Sequence, residues 1–242
     1  MSHVGDRARL EALVARKWVR TASGQSVEVI ADLSFALDEG ETGALIGPSG
    51  CGKSTLMRIL AGLDRNFDGE VHVPAGGRIG MAFQEPRLLP WRSLEDNVRL
   101  AAPEASEADI SALFAALGLS EHRTHYPGEL SVGLARRAAL ARAFAVHPTL
   151  LLLDEPFVSL DAPLARQMQR DLARLVESRR MTTVLVTHNV EEAIRLADRI
   201  FVLSARPAHV IGDIRVAHPR GAMSEDEERA ITARVEALRA AS

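Results

Sequence analysis

The chain has 242 residues, enough for one large domain or two small ones with a substantial buried core. Hydrophobic residues make up 47% and charged residues 25%, an ordinary globular composition, and a net charge of −3 offers no electrostatic footing for nucleic acid as the main partner. A single cysteine, Cys51, excludes an intramolecular disulfide and suits a reducing compartment.

The opening Met1-Ser2-His3-Val4-Gly5-Asp6 lacks an apolar stretch and does not read as a signal peptide. No run of about 18 apolar residues follows, so a membrane role is expected only through a partner. Alternating patterns around Val27-Glu28-Val29-Ile30 and Leu33-Ser34-Phe35-Ala36-Leu37 suggest strands, with Asp38-Glu39-Gly40 as a turn. Ala44-Leu45-Ile46 reads as a buried strand and runs into Gly47-Pro48-Ser49-Gly50-Cys51-Gly52-Lys53-Ser54-Thr55, a complete G-x-x-x-x-G-K-[ST] phosphate-binding loop. The helix of Ser54 to Ala61 leaves it, and Gly62 is placed to stop that helix. Glycines let the backbone curl so that successive N–H groups point inward, and the helix N-terminus adds roughly half a positive charge. Lys53 is expected to reach the β- and γ-phosphates of a nucleoside triphosphate, and the Ser54 hydroxyl to ligate Mg²⁺. Cys51 lies inside this loop, where its backbone matters more than its thiol.

Val71-His72-Val73 and Ile79 to Phe83 look like further short strands. From Pro90 to Ala145 the character turns helical: Glu107 to Leu117 stops at Gly118, and Leu134 to Ala145 is rich in Ala, Leu and Arg. Strand signals return at Leu150 to Leu153, Thr183 to Thr187 and Ile200 to Leu203. Between the first two, Leu164, Met168, Leu172 and Leu175 recur at helical spacing behind Pro163, which the first turn tolerates. Ser224-Glu225-Asp226-Glu227 is a capping-box pattern opening a helix with Ile231, Val235 and Leu238 on one face. Strands alternating with helices predict a parallel α/β sheet with an all-helical insertion.

Leu150-Leu151-Leu152-Leu153-Asp154-Glu155 combines a strand apolar on both faces with two carboxylates at its C-terminal end, where α/β sheets bind ligands. Asp154 is expected to hold Mg²⁺ through water, and Glu155 to polarise an attacking water.

Leu130-Ser131-Val132-Gly133-Leu134 then opens an Arg/Ala helix. At this point the chain closely resembles the nucleotide-binding subunit of ABC transporters, whose signature reads L-S-G-G-Q. Phe83-Gln84 matches that family's Q-loop, Ser159-Leu160-Asp161 its D-loop, and Thr187-His188 its switch histidine, all in the family's order. The resemblance implies a P-loop NTPase fold: a RecA-like core with parallel sheet (1–86 and 147–242), an antiparallel β subdomain and an inserted helical subdomain (87–146), forming a single domain over 1–242. It implies that Gln84 contacts Mg²⁺ and the lytic water, that His188 bonds the γ-phosphate, and that Ser131, Gly133 and Asp161 act on the opposite subunit of a dimer. Trp18 is either the adenine-stacking aromatic or a core or surface residue. The signature departs from the family at Val132 and Leu134, while Ser131 and Gly133 remain.

Gln84 to Trp91 followed by Asp96-Asn97-Val98, and Ser204-Ala205-Arg206-Pro207, look like the importers for nitrate, sulfonate and taurine. What this implies is an ATP-hydrolysing subunit, using ATP and Mg²⁺, that powers import of a small anion through a separate membrane permease. The alternatives are another ABC transporter class or a soluble non-transport ABC ATPase. Expected partners are a second, identical ATPase subunit, the permease and, indirectly, a periplasmic or extracellular solute-binding protein, but no nucleic acid. The expected place is peripheral, on the cytoplasmic face of the inner or cell membrane. Leu88, Leu89 and Trp91 form an apolar knob suited to gripping the permease, or are buried in the domain itself.

Overall fold

In the computed structural model, which describes residues 9–74, 76–216 and 223–241, contacts divide the chain into two units. One comprises the described residues before Gly76 with those from Thr182 onward, and the other runs from Gly76 to Met181. Met1 to Asp6, read above for a leader, lie outside the described residues. The strands are β1 (Leu10–Arg20), β2 (Ser26–Leu37), β3 (Thr42–Ile46), β4 (Asp68–His72), β5 (Ile79–Ala82), β6 (Leu150–Asp154), β7 (Thr182–Val186), β8 (Arg199–Leu203) and β9 (Val210–Arg215). The helices are α1 (Lys53–Leu60), α2 (Leu94–Ala101), α3 (Glu107–Ala116), α4 (Val132–Ala145), α5 (Ala162–Arg179), α6 (Val190–Leu196) and α7 (Glu225–Ala240).

In the first unit, β1 and β2 form a long antiparallel hairpin, and β4 pairs with the other side of β1. This is the expected antiparallel subdomain. Strand β1 was not anticipated, although Leu10, Ala12 and Val14 alternate as buried residues along it. The two stretches expected as separate strands, Val27 to Ile30 and Leu33 to Leu37, are one strand. It accommodates Asp32 at φ +50° where the pairing steps from Ala31 opposite Arg16 to Leu33 opposite Val14. Lys17, only 4% exposed, donates from Nζ to Asp64 Oδ1 at 2.8 Å and to the Asn66 carbonyl at 2.6 Å, so its buried charge is paired.

The same unit holds the parallel array: β3 lies between β7 and β8, parallel to both, and β9 returns antiparallel to β8. Every residue of β3 and β7 is buried, as strands covered on both faces require. Ala44, Ile46, Ile194, Ile200, Val202, Ile214 and Val235 share one apolar cluster that docks α6 and α7. Each large aliphatic side chain fully buried there contributes roughly 1.5–3 kcal/mol. The capping box of α7 forms as its sequence predicts: Ser224 N–H donates to Glu227 Oε2 at 2.9 Å, and Glu227 N–H to Ser224 Oγ at 3.3 Å.

In the second unit β5 and β6 pair in parallel, from Ile79 opposite Leu150 to Ala82 opposite Leu153. Helix α4 crosses close to β5 at Gly80, where any Cβ would run into the Ala143 carbonyl. Ser93, Ser106, Ser131 and Asp161 cap α2, α3, α4 and α5, each side chain accepting a first-turn N–H. Phe114 and Phe144 anchor the core of this unit. Among the described residues no helix is long and apolar enough to cross a membrane.

Candidate functional site

Buried β3 delivers the chain to Gly47, and the loop then curls through Gly50 at φ +76° and Gly52 at φ +133° into α1. Gly52 is the N-cap of α1 and brings no side-chain cap, so the first-turn N–H groups keep no partner from it. A Cβ on Gly52 would sit 3.0 Å from the Val29 carbonyl, which leaves glycine as the residue that fits. Lys53 is buried, and its Nζ donates to the Gly47 and Pro48 carbonyls at 2.8 and 2.9 Å. The ammonium is thereby held over the loop whose amides it serves. Ser54 is exposed on the first turn, and Gly62, at φ +69°, ends the helix as anticipated. Cys51 is buried.

His188 leaves β7, the strand paired with β3, so the loop and this exposed histidine emerge from neighbouring strand ends. Two bonds shape the turn around it: Asn189 N–H donates to Thr187 Oγ1 at 3.1 Å, and Thr187 Oγ1 donates to Glu192 at 2.6 Å. Asn189 caps α6 by accepting from Glu191 and Glu192 N–H. Trp18 is 49% exposed on β1, where the ladder register shifts between Lys17 and Trp18, so it is a surface residue and not a core one.

The second unit repeats the pattern of neighbouring strand ends. Gln84, exposed, follows β5; Asp154, buried, ends β6; Glu155 comes next at φ +45°. Ser131 caps α4 with Oγ accepting the Leu134 N–H at 3.3 Å, which leaves its O–H free in principle to donate outward. Gly133 is buried against α5: a Cβ there would lie 2.6 Å from Leu164 Cδ2. Asp161 caps α5, its Oδ1 accepting the Leu164 N–H at 2.9 Å.

Several working residues went unread in the sequence. Three arginines of α4 reach backbone carbonyls: Arg136 reaches Glu155 and Pro156, Arg137 reaches Leu117, and Arg142 reaches Pro86 and Arg87 beyond Gln84. An Arg/Ala helix showed only its propensity, not these targets. Arg206, in a tetrapeptide singled out by resemblance alone, donates from Nε to the Gly50 carbonyl at 3.1 Å. Asn97 is buried and bonds the N–H and carbonyl of Leu89 at 2.7 and 3.2 Å, and the Ser93 carbonyl at 2.9 Å. That knot pins the loop carrying Trp91, which stands 70% exposed, while Leu88 and Leu89 are half-buried.

The ABC transporter family model matches residues 30–158. The aliphatic sulfonates import ATP-binding protein SsuB 2 of Pseudomonas syringae pv. tomato is 42% identical over 189 residues, covering 78% of this chain and 81% of that protein. The SsuB protein of Bacillus cereus is 39% identical over 212 residues, covering 83% and 84%. Among solved structures, the dimeric post-hydrolysis state of the ATP-binding cassette MJ0796, bound to ADP and Pi, superposes with a TM-score of 0.75 at 25% identity, covering 87% of this chain and 100% of that one.

Proposed function

Since this chain belongs to the ABC transporter family, as an ATP-binding subunit of the sulfonate and nitrate importer kind, we propose that the solute it helps to import is a small anion of the nitrate, sulfonate or taurine type. It binds and hydrolyses ATP, and the hydrolysis is coupled to transport. The observation that carries the solute class is the 42% identity to an aliphatic sulfonate import subunit over 81% of its length.

The whole chain acts as one ATPase domain, with a nucleotide-binding core of 1–86 and 147–242 and a helical subdomain of 87–146. The loop amides of Gly47 to Thr55 and the Lys53 ammonium hold the phosphates, and Trp18 stacks on adenine. Supporting the loop assignment are the glycine-only conformation of Gly52 and the anchored ammonium. Mg²⁺, when bound, neutralises charge on the β- and γ-phosphates. Ser54, Gln84 and Asp154 would each offer it an oxygen donor, the kind that this hard cation takes, with Asp154 acting through water. Glu155 takes the proton of the attacking water as its oxygen bonds to the γ-phosphorus and the bond to ADP breaks. His188 donates to the γ-phosphate.

Ser131, Gly133 and Asp161 serve the opposite subunit of a homodimer, in keeping with the dimeric state of MJ0796. Transmembrane permease subunits receive the motion, a solute-binding protein delivers the anion to them, and this subunit sits peripherally on the cytoplasmic face of the membrane.

Size-exclusion chromatography with ATP tests the composite site. Glu155→Gln keeps the shape of the site but removes the base, so ATP-bound dimers should accumulate. Adding Ser131→Arg should abolish them by putting bulk where the γ-phosphate must lie. Equal dimerisation of the two proteins would show that Ser131 does not complete the opposing site.

A further inference from the structure

Arg136 is 9% exposed, on the first turns of α4, and its Nη1 donates to two successive carbonyls, Glu155 and Pro156, at 3.3 Å each. Its Nε is buried without a partner. A charged side chain kept in such a place, with one donor unsatisfied, is expensive unless its remaining bonds hold something that matters. What they hold is the peptide segment of a non-glycine residue at φ +45°, a backbone state that persists only where the surroundings over-determine it. Burial pulls the guanidinium's pKa down, and the Glu155 carboxylate beside it works in the opposite direction. Both the backbone and the charge of Glu155 are therefore felt by one side chain. That side chain stands on the helix whose N-cap is Ser131, five residues and about 7.5 Å of helix away.

We propose that Arg136 is a positioning residue, which sets the backbone of Glu155 from the signature helix so that the carboxylate is aimed for proton abstraction. The proposal rests on the reading of Glu155 as general base. Through Arg136, a shift at the Ser131 end of α4 is passed to the base of the same chain by a single rigid turn and a half of helix. Two bonds to carbonyl oxygens fix direction better than one, and a misplacement of about an ångström at a reacting group costs up to a hundredfold in rate.

Arg136→Met keeps the aliphatic bulk and removes the donors, leaving the Glu155 and Pro156 carbonyls without this partner. Arg136→Lys, which keeps a charged donor, separates that loss from a general loss of folding. Single-turnover and steady-state ATP hydrolysis are measured on the full chain for Arg136→Met, Arg136→Lys, Glu155→Gln and the double variant Arg136→Met/Glu155→Gln. Arg136→Met should lower kcat about tenfold, with KM for ATP changed less than about twofold. Arg136→Lys, which keeps a charged donor, should recover about half of wild-type kcat. In the Glu155→Gln background, Arg136→Met should cost less than about twofold more, because the group it aims is already disabled. A tenfold loss in both backgrounds, a parallel rise in KM, or no rescue by lysine would overturn the positioning role. So would wild-type kcat in Arg136→Met beside an inactive Glu155→Gln. Wild-type turnover in Glu155→Gln would instead remove the base reading itself, and the proposal with it.

Discussion

In the phosphate loop the working groups are backbone. Gly52 caps α1 without a side chain, Gly50 and Gly52 curl the chain through positive φ, and even Lys53 is held by main-chain carbonyls of its own loop. In α4, at the N-terminus of another helix, the working groups are side chains. Ser131 caps the helix, and Arg136, Arg137 and Arg142 reach carbonyls 19 or more residues away in sequence. The contrast explains how each tolerates change. A backbone-built site admits a side chain where it points away into solvent, as at Ser49, but none where a Cβ has no room. A helix held by side chains admits substitution wherever the backbone alone is used. The two departures from the family signature leave the backbone contact in place: Val132 is 59% exposed, and half-buried Leu134 still donates its N–H to Ser131 Oγ.

The sharpest way to break this comparison is Gly52→Ala. At φ +133° an alanine is strained whatever the space, and its Cβ would press on the Val29 carbonyl at 3.0 Å. Strain of this type costs about 1–3 kcal/mol, and relieving it means turning the loop amides away from the phosphates. ATP affinity, read by titration calorimetry, should fall at least tenfold. An affinity within twofold of wild type would show that the backbone conformation at Gly52 does not set phosphate binding.

The same division decides how much the sequence made legible. Features whose physics is local came through: the loop glycines, the Gly62 stop, the Pro163 first turn and the Ser224–Glu227 capping box, all formed as anticipated. The parallel character of the sheet also followed from apolar runs alternating with helices, although the partners, β3 with β7 and β5 with β6, did not. Strand β1 escaped because Arg16, Lys17 and Arg20 dilute its alternation, and β9 because Gly212 and Asp213 interrupt its apolar residues. The arginine contacts of α4 were invisible for a different reason. An arginine on a helix records no target, and its partners at Glu155, Leu117 and Pro86 are fixed only once the chain has folded.

A middle-sized effect separates surface function from scaffold in the side-chain-built unit. Asn97 bonds three residues of the loop of Leu89 to Ser93, which the Arg92 N–H closes further by donating to the Leu89 carbonyl, whereas Trp91 stands 70% exposed. Trp91→Ala should therefore leave stability within about 0.5 kcal/mol and ATP hydrolysis by the isolated subunit unchanged. Assembly with the permease should weaken, because an exposed aromatic held on a rigid loop suits an interface anchor, where truncation costs about 2 kcal/mol or more. Co-purification of the complex from membranes measures this. Unchanged assembly would return Trp91 to the status of an ordinary surface residue.

The smallest effect expected lies in the ion network that ties α2, α3 and the segment before α4 together. Arg123 donates to Glu95 Oε2 at 2.8 Å and to Glu107 Oε1 at 2.6 Å, and Arg99 donates to Glu95 Oε1 at 2.6 Å while also pairing with Glu107. The hydrogen bond from Arg123 holds the Glu95 carboxyl below its ordinary value of 4.5; burial opposes it and Arg99 assists. A carboxyl whose folded pKa lies below its unfolded one stabilises the protein fully above the unfolded pKa, and that contribution disappears as pH falls through the folded value. Glu95→Gln keeps the shape and discards the charge, so at pH 7 it should cost about 0.5–1 kcal/mol, the usual scale for a partly solvated network. The gap between the two proteins in urea unfolding should hold from pH 7 to about 5, narrow below 4.5, and shrink in 1 M salt, where charges are screened within about 3 Å. A gap that stays constant across that range would mean that Glu95 acts here by packing and neutral hydrogen bonding, and that the charge of the network stabilises nothing.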